Sequence, residues 1–459
     1  MHKPQYRVAA ALAALLLPLP ALAQPLDPAA LRDAALQDTL AWDFIEGITT
    51  EVGPRPAGTP AEARGRAWAE AWLKAQGFAN VRIEPYMMPV WLRGDERAEV
   101  TGPFPQKLTV TALGNSGATG PKGVEAEVVM FASLDALKAA PDAAVKGKIV
   151  FITHRMTATQ DGSSYGAFGP VRTQGPNVAA KKGAAAIVIR SIGTDYHRTP
   201  HTGNTRFEEG VAPIPAGALS VPDAEQLERI VARGKPVTLR LTLTPSTVKQ
   251  AESGNVIAEV PGSDPAAGIV VVACHLDSWD LGTGAIDDAA GCGIVAAAAR
   301  RIQQAGTPRR TIRILFAGSE EVGAFGAKAY FEAHKSERHA TASESDFGAD
   351  RIWKVEFNLP ENARAVGDRV AAALLPLGIA RGPAIGGDGT DIAPLHRAGV
   401  AAIDLAQSGS RYFDLHHTAD DTLDKIDPAQ LRQNVAAWTA MLAVVADAHE
   451  DIGPVTPRP

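Results

Sequence analysis

Five groups of acidic and imidazole side chains stand out in the 459-residue chain: His275-Leu276-Asp277, Asp287-Asp288, Glu320-Glu321, Asp346 and His416-His417. Taken singly, each has an ordinary explanation. An Asp pair ahead of a helix caps it and meets its dipole favourably. A Glu pair after a strand is commonly solvated, and tandem histidines are more often surface or packing groups than ligands. Taken together they demand more. Each group falls at the exit of an expected strand or in the loop beyond it, and open α/β sheets gather ligands at the carboxyl ends of their strands. Carboxylates crowded there repel one another unless cations compensate them. Mixed His, Asp and Glu donors suit zinc, and two ions sharing a carboxylate need about five protein ligands plus water. The chemistry indicated is metal-assisted hydrolysis. Competing machinery is missing from the sequence: it has no His-Glu-x-x-His, and Gly282-Thr283-Gly284 lacks the third glycine of a dinucleotide loop.

Patterning indicates the elements that must position these groups. After Asn255, strand, loop and helix alternate. Ile269–Cys274 is a continuous apolar run, as a strand buried on both faces should be. Ala289–Gln304 reads as an Ala-rich helix, Thr311–Ala317 as a strand, and 323–334 as a helix. Strands near 352–357 and 400–405 and a final helix over 428–449 complete the series. This alternation predicts an α/β fold, a mostly parallel sheet with helices on both faces. Residues 24–80 read as helical. Leu31, Ala35, Leu36, Leu40 and Phe44 recur at helical spacing, a Gly/Pro loop spans 53–60, and a second helix over 61–76 ends at Gly77. From about 100 to 250 the texture changes to short strands at Val124–Phe131, Lys148–Thr153, Ala185–Ile189 and Val237–Leu243. Short helices at 176–183 and 222–233 accompany them, and the Gly/Ser/Thr-rich stretch 157–176 reads as a surface loop. That stretch of chain is expected to be a smaller, mostly β insert. The expected division is a helical part of the catalytic domain at 24–99, the insert at 100–250 and the metal-bearing core at 251–459.

Composition narrows the class further. Hydrophobic residues make up 46% and charged residues 21%, an ordinary globular balance, and the net charge is −6 with no Lys/Arg-rich run. Nothing recommends a nucleic acid or an anionic membrane as partner. Residues 1–23 differ from the rest: Lys3 and Arg7, an apolar run from Val8 to Leu22, and Ala21-Leu22-Ala23 form a secretory signal with cleavage expected before Gln24. The run is too short, and too interrupted by Pro18 and Pro20, to serve as a membrane anchor. An exported, periplasmic or secreted protein is expected. Cys274 and Cys292 are the only cysteines, and their small apolar surroundings read as buried packing, with a bridge between them left open.

The motif His275-Leu276-Asp277-Ser278-Trp279-Asp280, followed by Gly284-Ala285-Ile286-Asp287-Asp288, resembles that of the aminopeptidase-like family of two-zinc exopeptidases, in its carboxypeptidase Q branch. The resemblance extends to Gly53-Pro54-Arg55-Pro56, Arg172-Thr173-Gln174-Gly175, Ser191-Ile192, Pro200-His201-Thr202-Gly203 and Gly387-Asp388-Gly389-Thr390-Asp391. It implies that the insert is a protease-associated domain, that two Zn2+ bind per chain, and that a homodimer is possible. It also implies roles. His275 and Asp346 would hold one zinc, Glu321 and His417 the other, and Asp287 both. Glu320 would be the general base and Asp277 the partner that orients His275. His417-Thr418-Ala419-Asp420-Asp421-Thr422 matches the His-Thr-x-x-Asp-Thr form of related aminopeptidases and so implies His417 rather than His416. The implied reaction is hydrolysis of dipeptides or short peptides by a hydroxide bridging the metals. An aminopeptidase on longer peptides and a non-catalytic binding protein are the alternatives, the second disfavoured because every implied site residue is present.

Overall fold

The computed structural model describes residues 26–387 and 389–457, so the expected signal segment and Asp388 lie outside the described residues. Two eight-stranded sheets organise the chain. The first runs, from edge to edge, Ala79–Leu92, Ser246–Val260, Ile312–Ala317, Ile269–His275, His339–Glu344, Ala401–Gln407, Ile352–Asn358 and Ala380–Arg381. Its four central strands, 312–317, 269–275, 339–344 and 401–407, are mutually parallel. Antiparallel strands flank them on both sides.

The apolar run at 269–275 is continuous because both faces of the sheet are covered. Val270, Val272 and Cys274 pack toward one face, together with helices Ala290–Ala305, Pro428–Asp447 and the N-terminal Leu40–Glu51. Val271 and Ala273 pack toward the other, against Tyr330 of helix Phe325–His334 and Leu395 of helix Ala393–Arg397. The expected α/β class is therefore observed, with the strands at 269–275, 312–317, 352–358 and 401–407 close to their anticipated bounds. The N-terminal helices are Pro28–Ala35, Leu40–Glu51 and Pro60–Ala75, and Gly77, at φ +78°, follows the last of them in the left-handed conformation that favours glycine.

Residues 96–243 build the second sheet, whose core of strands Val124–Phe131, Ile149–Ile152, Ala186–Arg190 and Ala216–Leu219 is parallel. One expectation is corrected here. The stretch read as a surface loop at 157–176 lies mostly in a helix, Ser163–Lys181, despite Pro170 and Pro176 inside it. Its composition argues against helix, but tertiary packing overrides propensity: Val171 and Ala179 are buried in an apolar cluster with Ile152 and Ile187. Among the described residues no helix is long and apolar enough to cross a membrane.

Candidate metal centre

The parallel order of the central strands brings their carboxyl ends to one edge of the sheet. His275 ends its strand, Glu320 and Glu321 follow Ala317, Asp346 follows Glu344, and His416-His417 lie beyond Gln407. Asp287 precedes helix Ala290–Ala305, which returns against the same edge because Gly291 has no side chain: a Cβ there would sit 1.8 Å from the Ser345 carbonyl oxygen. The five separate motifs of the sequence thus meet.

Asp287 lies at their centre. Its Oδ1 is 3.0 Å from His275 Nε2, and its Oδ2 is 3.3 Å from His417 Nε2. Asp346 Oδ1 is 3.4 Å from His275 Nε2, and Glu321 Oε2 is 2.9 Å from His417 Nε2. Donors at about 2.0–2.1 Å from a tetrahedral zinc stand about 3.3 Å from one another, so these separations are those of zinc-ligand sets. His416 stacks on His417 with ring centroids 3.5 Å apart, but its Nε2 approaches only Asp287 Oδ2, at 3.7 Å. His417 is the better-placed donor. Asp288 faces inward instead, its carboxylate accepting the N–H groups of His275 at 3.2 Å and Gly291 at 2.9 Å.

The outer Nδ1 atoms of His275 and His417 are fixed by main-chain carbonyls, which set the tautomer that leaves Nε2 facing the centre. His275 Nδ1 donates to the carbonyl of Asp277 at 2.9 Å. The Asp277 carboxylate stands farther from that ring, at 3.7 Å, and accepts the backbone N–H of Glu320 at 3.0 Å. Asp277 therefore contacts His275 closely through its backbone and Glu320 through its side chain. His417 Nδ1 donates to the Thr202 carbonyl at 3.2 Å, a contact supplied by the second sheet's part of the chain. His201 holds the same junction, bonding the His416 carbonyl at 2.7 Å and Asp195 at 2.6 Å.

Burial makes this crowd of carboxylates electrostatically expensive. Burial and the neighbouring Asp346, Glu321 and Asp277 raise Glu320 to about 8. Burial and Asp287 push Glu321 well above the usual range, and burial raises Asp346. Burial alone would lower His275, yet Asp346 and Asp287 push it well above its ordinary value, so a proton is favoured where a cation would otherwise sit. Among the described residues, Asp287 Oδ2, Glu321 Oε1 and Asp346 Oδ1 have no hydrogen-bond partner. Buried, unpartnered oxygens of this kind are what a cation satisfies.

Some contributors carried no chemical signal of their own in the sequence. Arg55 is fully buried and donates to the carbonyls of Leu276 at 2.7 Å, Thr283 at 2.6 Å and Gly284 at 2.9 Å, so it pins the loops that present His275 and Asp287. Asp421 accepts the N–H of Ile286 at 2.6 Å. The only sequence trace of Arg55 is its place in the Gly53–Pro56 motif. Cys274 and Cys292 form a disulfide, which corrects the reading of both as packing thiols. The Asp288 bonds to His275 and Gly291 hold the strand end against the helix start, which brings the two Cα atoms to 5.1 Å. The centre opens into a cleft of about 1180 Å³ between the two sheets, with Tyr165, Arg172 and Arg206 on one wall and Glu320, Tyr412 and His416 on the other.

The chain is similar to known proteins. A model of peptidase family M28 matches residues 255–442. Carboxypeptidase Q of Bos taurus is 36% identical over 413 residues, covering 89% of this chain and 86% of its own length. The crystal structure of a peptidase M28 precursor from Shewanella amazonensis superposes with a TM-score of 0.91 at 43% identity, covering 94% of this chain and 98% of that one. A zinc aminopeptidase from Bacillus subtilis shares the fold, with a TM-score of 0.64 at 20% identity over 90% of this chain and 97% of its own.

Proposed function

As the chain belongs to peptidase family M28 and is a metallo-exopeptidase of the carboxypeptidase Q kind, we propose that it hydrolyses dipeptides or short peptides with two zinc ions and Glu320 as general base. The supporting observation is the position of Asp287, one carboxylate oxygen facing His275 and the other His417. His275, Asp346 and Asp287 would hold one ion, and His417, Glu321 and Asp287 the other. Zinc at these positions would polarise the scissile carbonyl and bring the pKa of a water toward neutrality.

The chain's own residues then do the following. The cleft walls would lay the peptide across the centre. With the surrounding negative charge compensated, Glu320 is ionised and accepts the proton of the attacking water. The same carboxyl returns that proton to the leaving amine, so it acts as base and then as acid. Asp277 keeps Glu320 in place by accepting its main-chain N–H. An aminopeptidase acting on longer peptides is the second reading, favoured by the breadth of the cleft. Export to the periplasm or exterior is proposed from residues 1–23.

The test pairs zinc analysis with hydrolysis of a dipeptide panel. Wild type should carry two zincs and cleave. Glu320→Gln should keep both zincs and lose roughly 10²–10⁴-fold in kcat. Unchanged hydrolysis by the variant would defeat the assignment of Glu320, and metal binding by wild type without any hydrolysis would defeat the proposed activity.

A further inference from the structure

Beside the metal centre a second hollow of about 280 Å³ opens off the cleft, sharing Asp346, Phe347 and Thr390 with it. Among the described residues its charged lining is one-sided: Asp161, Glu344, Asp346, Glu356 and Asp404 against Lys354 alone. Lys354 is already engaged, its Nζ 3.0 Å from Glu356. Glu344 is the informative residue. It is only 9% exposed, and its Oε2 accepts the backbone N–H groups of Asp391 at 2.8 Å and Ile392 at 3.2 Å. Those two bonds fix the carboxylate, yet among the described residues Oε1 has no hydrogen-bond partner although the side chain lines the hollow. Behind it Asp391, 1% exposed, has both carboxylate oxygens without a hydrogen-bond partner among the described residues.

An oriented, buried and unsatisfied carboxylate oxygen in a roomy hollow is costly unless a donor comes to meet it. The proposed zinc ligands do not use it. We propose that this pocket receives a cationic group of the peptide substrate, an ammonium or guanidinium, with Glu344 as the specificity-determining residue. The proposal rests on the reading of the cleft as a peptidase site. Two sources of such a group exist, a basic side chain and the free α-amino end. The pocket's placement beside Asp346 suits the residue on the amino side of the scissile bond, and Ala402 and Ala406 offer an apolar wall for a methylene stem.

Calorimetric binding to the zinc-loaded Glu320→Gln protein separates this idea from turnover. The ligands are Lys-Ala, Leu-Ala and Nα-acetyl-Leu-Ala, each titrated with and without the further change Glu344→Gln. If the pocket takes a side chain, Lys-Ala binds at least tenfold more tightly than Leu-Ala, and Glu344→Gln abolishes the difference. If it takes the amino end, Leu-Ala exceeds its acetylated form at least tenfold, and that difference depends on Glu344. Preferences that are absent, or that survive Glu344→Gln, overturn the proposal. Ala406→Phe narrows the hollow without removing a carboxylate; it should weaken the favoured ligand in the same sense, and it carries the test should Glu344→Gln fail to fold. Hydrolysis of Leu-Ala by wild type judges the peptidase reading separately.

Discussion

A buried ionisable side chain persists only where something answers its charge, and the residues of this protein divide along that line. Those around Asp287 await cations, whereas His154 has none to await. It is stacked on Phe168, and burial together with Arg190 lowers it to about 4. Between about pH 6.5 and 4 the unfolded chain therefore binds a proton that the native one refuses, so stability falls as pH falls through that window. The loss should approach about 3 kcal/mol at the acid end, and His154→Phe should flatten the difference in denaturant midpoint between pH 7 and pH 4. An equally steep acid loss in the variant would show that His154 does not govern it. The ligand candidates were legible in the sequence because few residue types bind metal and most of them fell at or beyond expected strand exits, whereas the strand His339–Glu344 that presents Asp346 was not anticipated. The choice of His417 over His416 was legible only through the resemblance of His417-Thr418-Ala419-Asp420-Asp421-Thr422, and it is the His417 Nε2 that lies 2.9 Å from Glu321. Arg55 was illegible because the four carbonyls that receive its guanidinium come together only in the fold.

Among the elements, the junction between strand Ile269–His275 and helix Ala290–Ala305 matters most, because one supplies His275 and the other is preceded by Asp287. The Cys274–Cys292 bridge closes a loop with a sequence separation of 18 that contains both residues. Loop-closure entropy assigns it about 3 kcal/mol. The double variant Cys274→Ala/Cys292→Ala should therefore unfold at lower denaturant and hold zinc less tightly than wild type, read from a competing chelator. Unaltered zinc affinity would mean that the bridge stabilises the fold without shaping the site. Strands rich in Val, Ile and Leu were legible, as at 269–275 and 312–317. His339–Glu344 was not, because its His-Ala-Thr-Ala-Ser-Glu sequence has neither apolar continuity nor clean alternation. The helix at 163–181 was hidden by its glycines and prolines, and the long paired strands Ala79–Leu92 and Ser246–Val260 are held by pairing to each other, which no local pattern reveals.

For the whole molecule, the second sheet's part of the chain does more than roof the cleft. Thr202 orients His417, and Arg93 ties Asp280 at 2.7 Å to Glu96, Ala112 and Thr202 across the junction. Metal binding and the seating of the two parts should therefore be linked, since a cation that binds only the assembled site stabilises it by mass action. Stripping the protein with a chelator should lower Tm, and stoichiometric zinc should restore it; a Tm indifferent to metal would argue that the carboxylate cluster is satisfied by protons alone. The most direct trial of the account is anomalous diffraction at the zinc absorption edge from zinc-loaded crystals. Two peaks are expected, one among His275, Asp346 and Asp287 and the other among His417, Glu321 and Asp287. A single peak, or peaks away from Asp287, would contradict it.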